Sequence, residues 1–562
     1  MMARLIVIAA VLLLAGQAAV NAATIVIVNM DGAGEGFNDP TPVAPVGGNP
    51  GTTIGQQRLN VFQAAADIWG ALLPSAVTIG VEAQFDPLPC SPDQAYLGFA
   101  GTLEVFRDFP GAELTGTWYP VALANKLAGV DLSTDNDIGI FFNSDIDNNN
   151  NCLQNTNWYY GLDGNEGSDV ELLPVVLHEL AHGLGFTTFI DMDSGAEFMG
   201  FPDIYETFVW DNSSGLHWDD MTNGQRLASK VNDGNVVWDG PVVTAMADDF
   251  LSGTPVMLVN SPPSLPDTIA VGRATFGPGL TIGGITGDVV LVDDGTGTTS
   301  DACEPIVNGA EIAGNIALID LGGCAQVSKV LAAEAAGAIA VLLANIAASS
   351  EPFNPSGEDP GITMPTVGIT LADANAIKAE LVSGVNVTLT IDPNDLEGAD
   401  ENNRVQLYAR SSPSAINHWD REAFPDLLME PFDVPSLSSD VDLTLAHFAD
   451  LGWVDLPTGV AEDRKPYPLF AGLKLYPNYP NPFNPSTTIR YAVSEPQEIR
   501  LAVYDVRGRL VRSLAQRVEP AGIHEVRWEG RDNDGRPAAS GIYFVRLIGD
   551  GQVTNRKIVL LK

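Results

Sequence analysis

The sequence predicts a multidomain chain: an α+β region, split by an inserted α/β unit, then a small all-β sandwich. Three observations carry this. Residues 175–184 are apolar on nearly every face, as a buried helix would be, and they contain His178-Glu179-Leu180-Ala181-His182. Residues 315–391 alternate strand-like apolar runs with helix-like runs. Beyond residue 472 the charge changes sign. Residues 473–562 hold 14 of the 28 basic residues and nine of the 71 acidic ones, so the segment is about +5 and the remainder about −48. Such a break marks a domain boundary.

The totals set limits. A chain of 562 residues exceeds one ordinary domain, and 45% hydrophobic content is ample for buried cores. A net charge of −43 argues against nucleic acid as a partner. Arg4 precedes an apolar run over 5–15, and small residues follow at 18–23. That is the pattern of a secretory signal over 1–22, cleaved near Ala22 or Ala23. The run is too short for a membrane span, and no later stretch is long enough. The expected location is therefore outside the cell, secreted or on its surface. Export permits disulfides. Cys90, Cys152, Cys303 and Cys324 allow three pairings; their separation into two regions favours Cys90–Cys152 and Cys303–Cys324.

After the signal, residues 24–29 alternate as a strand. Residues 56–73 read as an amphipathic helix with Leu59, Phe62, Ala66 and Trp69 on one face. Val77, Ile79, Val81, Ala83 and Phe85 mark a half-buried strand, and 138–142 a second one. The helix of the His-Glu-x-x-His motif starts either at a Ser168/Glu171 capping box or at Pro174 as first residue. Gly185 is placed to end it.

On a helix, residues four apart share a face, so His178 and His182 can aim at one point. Two neutral imidazoles suit Zn²⁺, one ion per chain, and Glu179 is placed to act as a general base on water. The chemistry implied is hydrolysis of an amide. A catalytic zinc normally has three protein ligands. Asp191, His217, His418 and His447 are the downstream candidates, and Thr188 is a poor one. His217 and His447 read as ordinary surface or core histidines.

The motif extends as His-Glu-x-x-His-x-x-Gly through Gly185 and then departs from the metzincin pattern at Thr188. Residues 417–431 hold His418 and, in Leu427-Leu428-Met429-Glu430-Pro431, a methionine. With 443–453 this set resembles the leishmanolysin-like metzincins, whose third histidine is displaced downstream by an insertion. The resemblance covers about 24–264 and 400–454. It implies a metzincin-like zinc endopeptidase with His178, His182 and His418 as ligands, Glu179 as base and Met429 in a supporting turn. Asp191 is the alternative third ligand.

The insertion, taken as 266–395, resembles the protease-associated (PA) domain in 316–324, 335–341 and 364–368. That likeness implies a lid or substrate-selecting module; a passive spacer is the plainer reading. The peptidase-like region would then be 24–265 and 396–456. A linker follows over 457–472, interrupted by Pro466 and Pro468. Residues 473–562 alternate as strands over 499–506, 524–528 and 542–548. They resemble the sorting domains of the type IX secretion system and a related Ig-like module of flagellar-hook capping. Secretion machinery is accordingly an expected partner, beside protein or peptide substrates. The polar run 144–151 and the segment 532–535 invite Ca²⁺, but neither has the twelve-residue spacing, so solvated loops are favoured. A different class of function, a surface-binding or adhesion protein with a retired metal site, is the alternative; the intact Glu179 speaks against it, because a binding protein needs no general base beside two imidazoles. A zinc hydrolase of non-peptide substrates also fits the bare motif.

Overall fold

A computed structural model describes residues 22–454 apart from 358, 360 and 433–439, and residues 473–560 apart from 476–482, 484–485, 494–496, 520–521, 534 and 550–551. Residues 1–21 of the expected signal segment and the linker 457–472 lie outside the described residues.

The first core is built from both ends of the insertion. A four-stranded sheet runs in the order Ile25–Asn29, Ile79–Asp86, Ile138–Asn143, Gly98–Thr102. The first three strands are parallel and Gly98–Thr102 is an antiparallel edge. Ile79, Val81, Ala83 and Phe85 are buried at alternate positions, as the period of two requires. The helix Ile54–Leu72 buries Val61, Phe62, Ala65, Ala66 and Trp69, while Leu59, expected on that face, is exposed. Thr53 caps it through its side chain. The Trp69 indole donates to Leu177 O (3.0 Å), which fixes this helix against the helix Leu172–Leu184. That second helix comes close to the central strand at Gly183, where an added Cβ would lie 2.3 Å from Ile138 Cγ2.

The helix starts at neither expected place. Residues Val170–Glu171 are extended and pair with Trp158–Tyr159, so a Ser168/Glu171 box cannot form. Glu171 is the N-cap, and Pro174 is the third helical residue. The first-turn N–H groups have no intrahelical acceptor, so proline there removes no helix bond. The helix ends at Leu184, and Gly185 has φ +131°.

Residues 396–432 and 440–454 return to this same core. Val405, Leu407, Trp419, Met429, Phe448 and Trp453 are buried with Phe62 and Leu177. The helix Thr444–Asp450 lies within the expected closing segment, and the Trp453 indole donates to Leu184 O (2.8 Å).

Between the two halves stands an eight-stranded mixed sheet. Ile285–Leu291, Ile316–Asp320, Ala340–Ala344 and Thr366–Ile369 are parallel neighbours. Helices Gln326–Ala335 and Leu371–Glu380 accompany them. All five residues of Ala340–Ala344 are buried, as expected of a parallel strand covered on both faces. Leu318 and Leu342 belong to one apolar cluster, Ile319 and Leu343 to another. This sheet reaches further than the 266 start read from sequence: Gly253–Ser261 pairs along Asn386–Leu396.

The C-terminal region is two antiparallel sheets enclosing an apolar core. Leu473–Leu475, Thr487–Val493 and Gly522–Trp528 form one; Leu510–Glu519, Gln497–Asp505, Gly541–Gly549 and Gln552–Leu560 form the other. Tyr491, Leu501, Trp528, Leu547 and Ile558 fill the space between.

The disulfides are Cys90–Cys152 (Cα–Cα 5.2 Å) and Cys303–Cys324 (5.7 Å). Unreduced peptide mapping by mass spectrometry should therefore find these two links and no link between 90 or 152 and 303 or 324. Double replacement of Cys90 and Cys152 by alanine is expected to lower stability by about 2–4 kcal/mol, read from denaturant unfolding.

Candidate metal centre

Four residues apart on one helix, His178 and His182 place their Nε2 atoms 3.2 Å from each other. His418 arrives from beyond the insertion and puts its Nε2 3.3 Å from both. His182 and His418 are buried; His178 is half-buried.

The opposite ring nitrogens decide what this triangle is. His178 Nδ1 lies 2.7 Å from Leu428 O, His182 Nδ1 2.8 Å from Phe186 O and His418 Nδ1 2.8 Å from Ser414 O. A carbonyl only accepts, so each Nδ1 carries the proton and each Nε2 is a bare lone pair. Three bare nitrogens facing one another repel unless a cation lies between them. Burial also holds all three imidazoles neutral, pushing His178 down to about 3, His182 to about 4 and His418 well below its usual value. Around an ion with bonds of about 2.0–2.1 Å, tetrahedral corners are about 3.3–3.4 Å apart. The observed triangle fits three such corners and leaves the fourth open. These three histidines can together hold a metal ion.

Glu179 is 7% exposed, and its Oε2 has no hydrogen-bond partner among the described residues. Burial pushes its carboxyl up to about 8. An orphaned buried carboxylate is costly, and groups left so are often functional. Its Cγ faces the edge strand: a Cβ on Gly98 would lie 3.4 Å away.

The other expected residues fall as follows. Met429 is fully buried, and its O accepts from Trp419 N (2.9 Å). Its neighbour Leu428 holds His178, so the 428–429 backbone touches the segments of two of the three histidines. Asp191 is exposed and outside the group; its Oδ1 accepts from the N–H groups of Asp193 and Ser194. His217 lies 2.9 Å from Asp239. His447 is buried against Phe186 and Trp238, ring centroids 4.1 Å away in both cases. In the polar run, Asp147 is taken up by Arg58, Tyr160 and Trp158 N. Asp532 Oδ1 accepts from Arg536 N (2.8 Å), and residue 534 of that segment lies outside the described residues. Asp294, Asp301 and Glu304 also lie close together, but the buried Lys329 ammonium is already built in beside them, bonded to Asp301 O.

Sequence reasoning missed the supports. Asp442 accepts from Leu428 N and so braces the carbonyl that holds His178. Burial raises its carboxyl to about 7. No motif marks it, because its partner is a backbone amide.

Residues 285–377 match the PA domain. The match falls inside the eight-stranded sheet, so the PA domain is the unit that separates His182 from His418. Residues 485–551 match the FlgD Ig-like domain. No curated protein matches the chain. Among solved structures it is similar to a zinc aminopeptidase from Bacillus subtilis, at 22% identity and a TM-score of 0.20, over 27% of this chain and 36% of that one. The chain thus spans about a third of that relative. Part of it is also similar to latent PorU from Porphyromonas gingivalis (24% identity, TM-score 0.14, 16% of this chain and 9% of that one). A further likeness is to FlgD from Xanthomonas campestris (19% identity, TM-score 0.13, 16% and 64%). These partial likenesses say nothing about the chemistry of the three histidines.

Two disulfides fit an extracellular protein. Among the described residues no helix is long and apolar enough to cross a membrane.

Proposed function

We propose that the chain is a secreted zinc endopeptidase of metzincin-like architecture. The observation that carries the reading is the triangle of bare Nε2 atoms beside an orphaned, buried carboxylate. Zinc is the ion of choice because three imidazoles with an open fourth position are a common catalytic zinc set. A bound zinc supplies Lewis acidity, polarising a carbonyl and acidifying water.

The chain's own residues do the rest. Each Nδ1–H to carbonyl bond holds its imidazole in one tautomer and orientation. Glu179 Oε2 takes the proton of the attacking water and delivers it to the leaving amine nitrogen. The strand Gly98–Thr102 lies at the edge of its sheet beside Glu179, with Phe99 half exposed. Such an edge can pair with an extended peptide through main-chain hydrogen bonds. That favours cutting within a chain over a pocket that grips a free terminus. On this reading the PA domain selects substrates and the C-terminal sandwich serves as a sorting module for secretion.

A peptide blocked at both ends tests the endopeptidase reading. It should be cut internally, the activity should vanish with a chelator, and zinc should restore it. Cleavage that requires a free amino terminus would sink the internal-cutting claim.

A further inference from the structure

Thr188 stands six residues after His182, where a short-spaced metzincin site would carry its third histidine. Here it does something else. Its backbone N–H donates to Asn417 Oδ1 (3.0 Å), on the residue just before His418. Thr188 is itself held: its hydroxyl donates to Asp203 Oδ2 (2.7 Å), and Phe189 N donates to the same oxygen (2.5 Å). Asp203 is buried, and its other oxygen accepts from Glu206 N (2.8 Å).

A second, separate clamp acts one residue earlier. Ile416 has φ +70°, a left-handed backbone that a β-branched residue seldom adopts. Such a conformation persists only where its surroundings over-determine it. Ile416 O accepts from the buried Tyr205 hydroxyl (2.6 Å), and Ile416 N donates to Tyr408 O (2.8 Å). Tyr408 N in turn donates to His418 O (2.9 Å).

We infer that the segment leaving the metal helix, residues 186–205, is a splint that positions His418, with Asn417 and Tyr205 as its positioning residues. The inference rests on the three-histidine reading above and deepens it. The two histidines of the helix are fixed by one element. The third comes from across a 240-residue separation and has no helix to aim it. The splint ties residues 416 and 417 to the chain just past that helix. His182 and His418 then share one frame, since Phe186 O, at the start of the splint, also holds His182 Nδ1. The geometry of the third corner becomes independent of how the PA domain sits in the chain. Groups that hydrogen-bond a ligating histidine directly are worth roughly 10–100-fold in metal affinity; Asn417 and Tyr205 act one step further out, on the backbone beside His418, so the lower end of that range is expected.

The test is zinc affinity of the full chain, by competition with a chelator, together with the absorption spectrum of the Co²⁺-loaded protein. Asn417→Ala is expected to weaken zinc by roughly 10-fold, with the melting temperature of the metal-free protein unchanged. Asn417→Asp keeps an acceptor oxygen for Thr188 N–H and should restore the affinity. Tyr205→Phe removes only the hydroxyl; it should weaken zinc and alter the intensity of the cobalt bands. Wild-type affinity in both Asn417→Ala and Tyr205→Phe overturns the splint. So does a loss that tracks a lowered metal-free melting temperature and is not rescued by aspartate. Should Asn417→Ala fail to fold, Tyr205→Phe decides alone. His418→Ala separates the two levels. Zinc retained there means the three-histidine site is wrong. Zinc lost there, but held normally by the splint variants, overturns the splint alone.

Discussion

Glu179→Ala should keep its zinc and lose hydrolysis by on the order of 10²–10⁴-fold or more. The expectation follows from what surrounds the side chain. Its Oε2 is buried and meets no donor among the described residues, so it performs no structural bond there whose loss would unfold the helix. It is also no member of the histidine triangle, so the metal should stay. What disappears is the proton acceptor for water and the proton donor for the departing amine. Glu179→Gln is the sharper variant, because it keeps the shape and removes only the basicity. The check is a digestion assay beside metal analysis of the same preparation. Unchanged turnover in either variant would place the reaction elsewhere. A loss of zinc in Glu179→Gln would mean that the carboxylate had been counted in the wrong role.

Much of this site was legible because it is local. Two histidines four apart around a glutamate, on a run apolar through Leu184, need only helical periodicity to be read. Gly185 was legible for the same reason. The insertion's parallel strands could be read as continuous apolar runs. What could not be read is what depends on distant backbone. Leu428 O, Phe186 O and Ser414 O fix the three imidazoles, and any residue type supplies a carbonyl. Asp442 and Asp203 act on backbone amides, so no pattern announces them. The helix start at Leu172 matched neither the Ser168/Glu171 box nor Pro174 as first residue, because residues 170–171 are taken up in a strand pair with Trp158–Tyr159. At the third position of the helix Pro174 is neutral. The strand Gly253–Ser261 was missed because its partner lies at Asn386–Leu396, on the far side of the unit it closes.

His418→Ala should strip the zinc and abolish activity, and it is the change that tests the architecture most directly. Wild-type protein should carry about one zinc per chain. Two helical histidines alone leave two open corners, a weak site. The third imidazole is supplied across 236 residues from His182, so the site exists only when both halves of the first core have come together around the PA domain. Loss of a direct ligand should weaken zinc by more than the roughly 10–100-fold that follows from losing an outer partner. Asp191→Ala and His217→Ala are the controls. Asp191 is exposed and turned to its own loop, and His217 is paired with Asp239, so both variants should hold zinc as the wild type does. If Asp191→Ala strips the metal and His418→Ala does not, the site is a short-spaced carboxylate type. The triangle of Nε2 atoms would then have no role, and the long return from the PA domain would be a matter of folding rather than of catalysis.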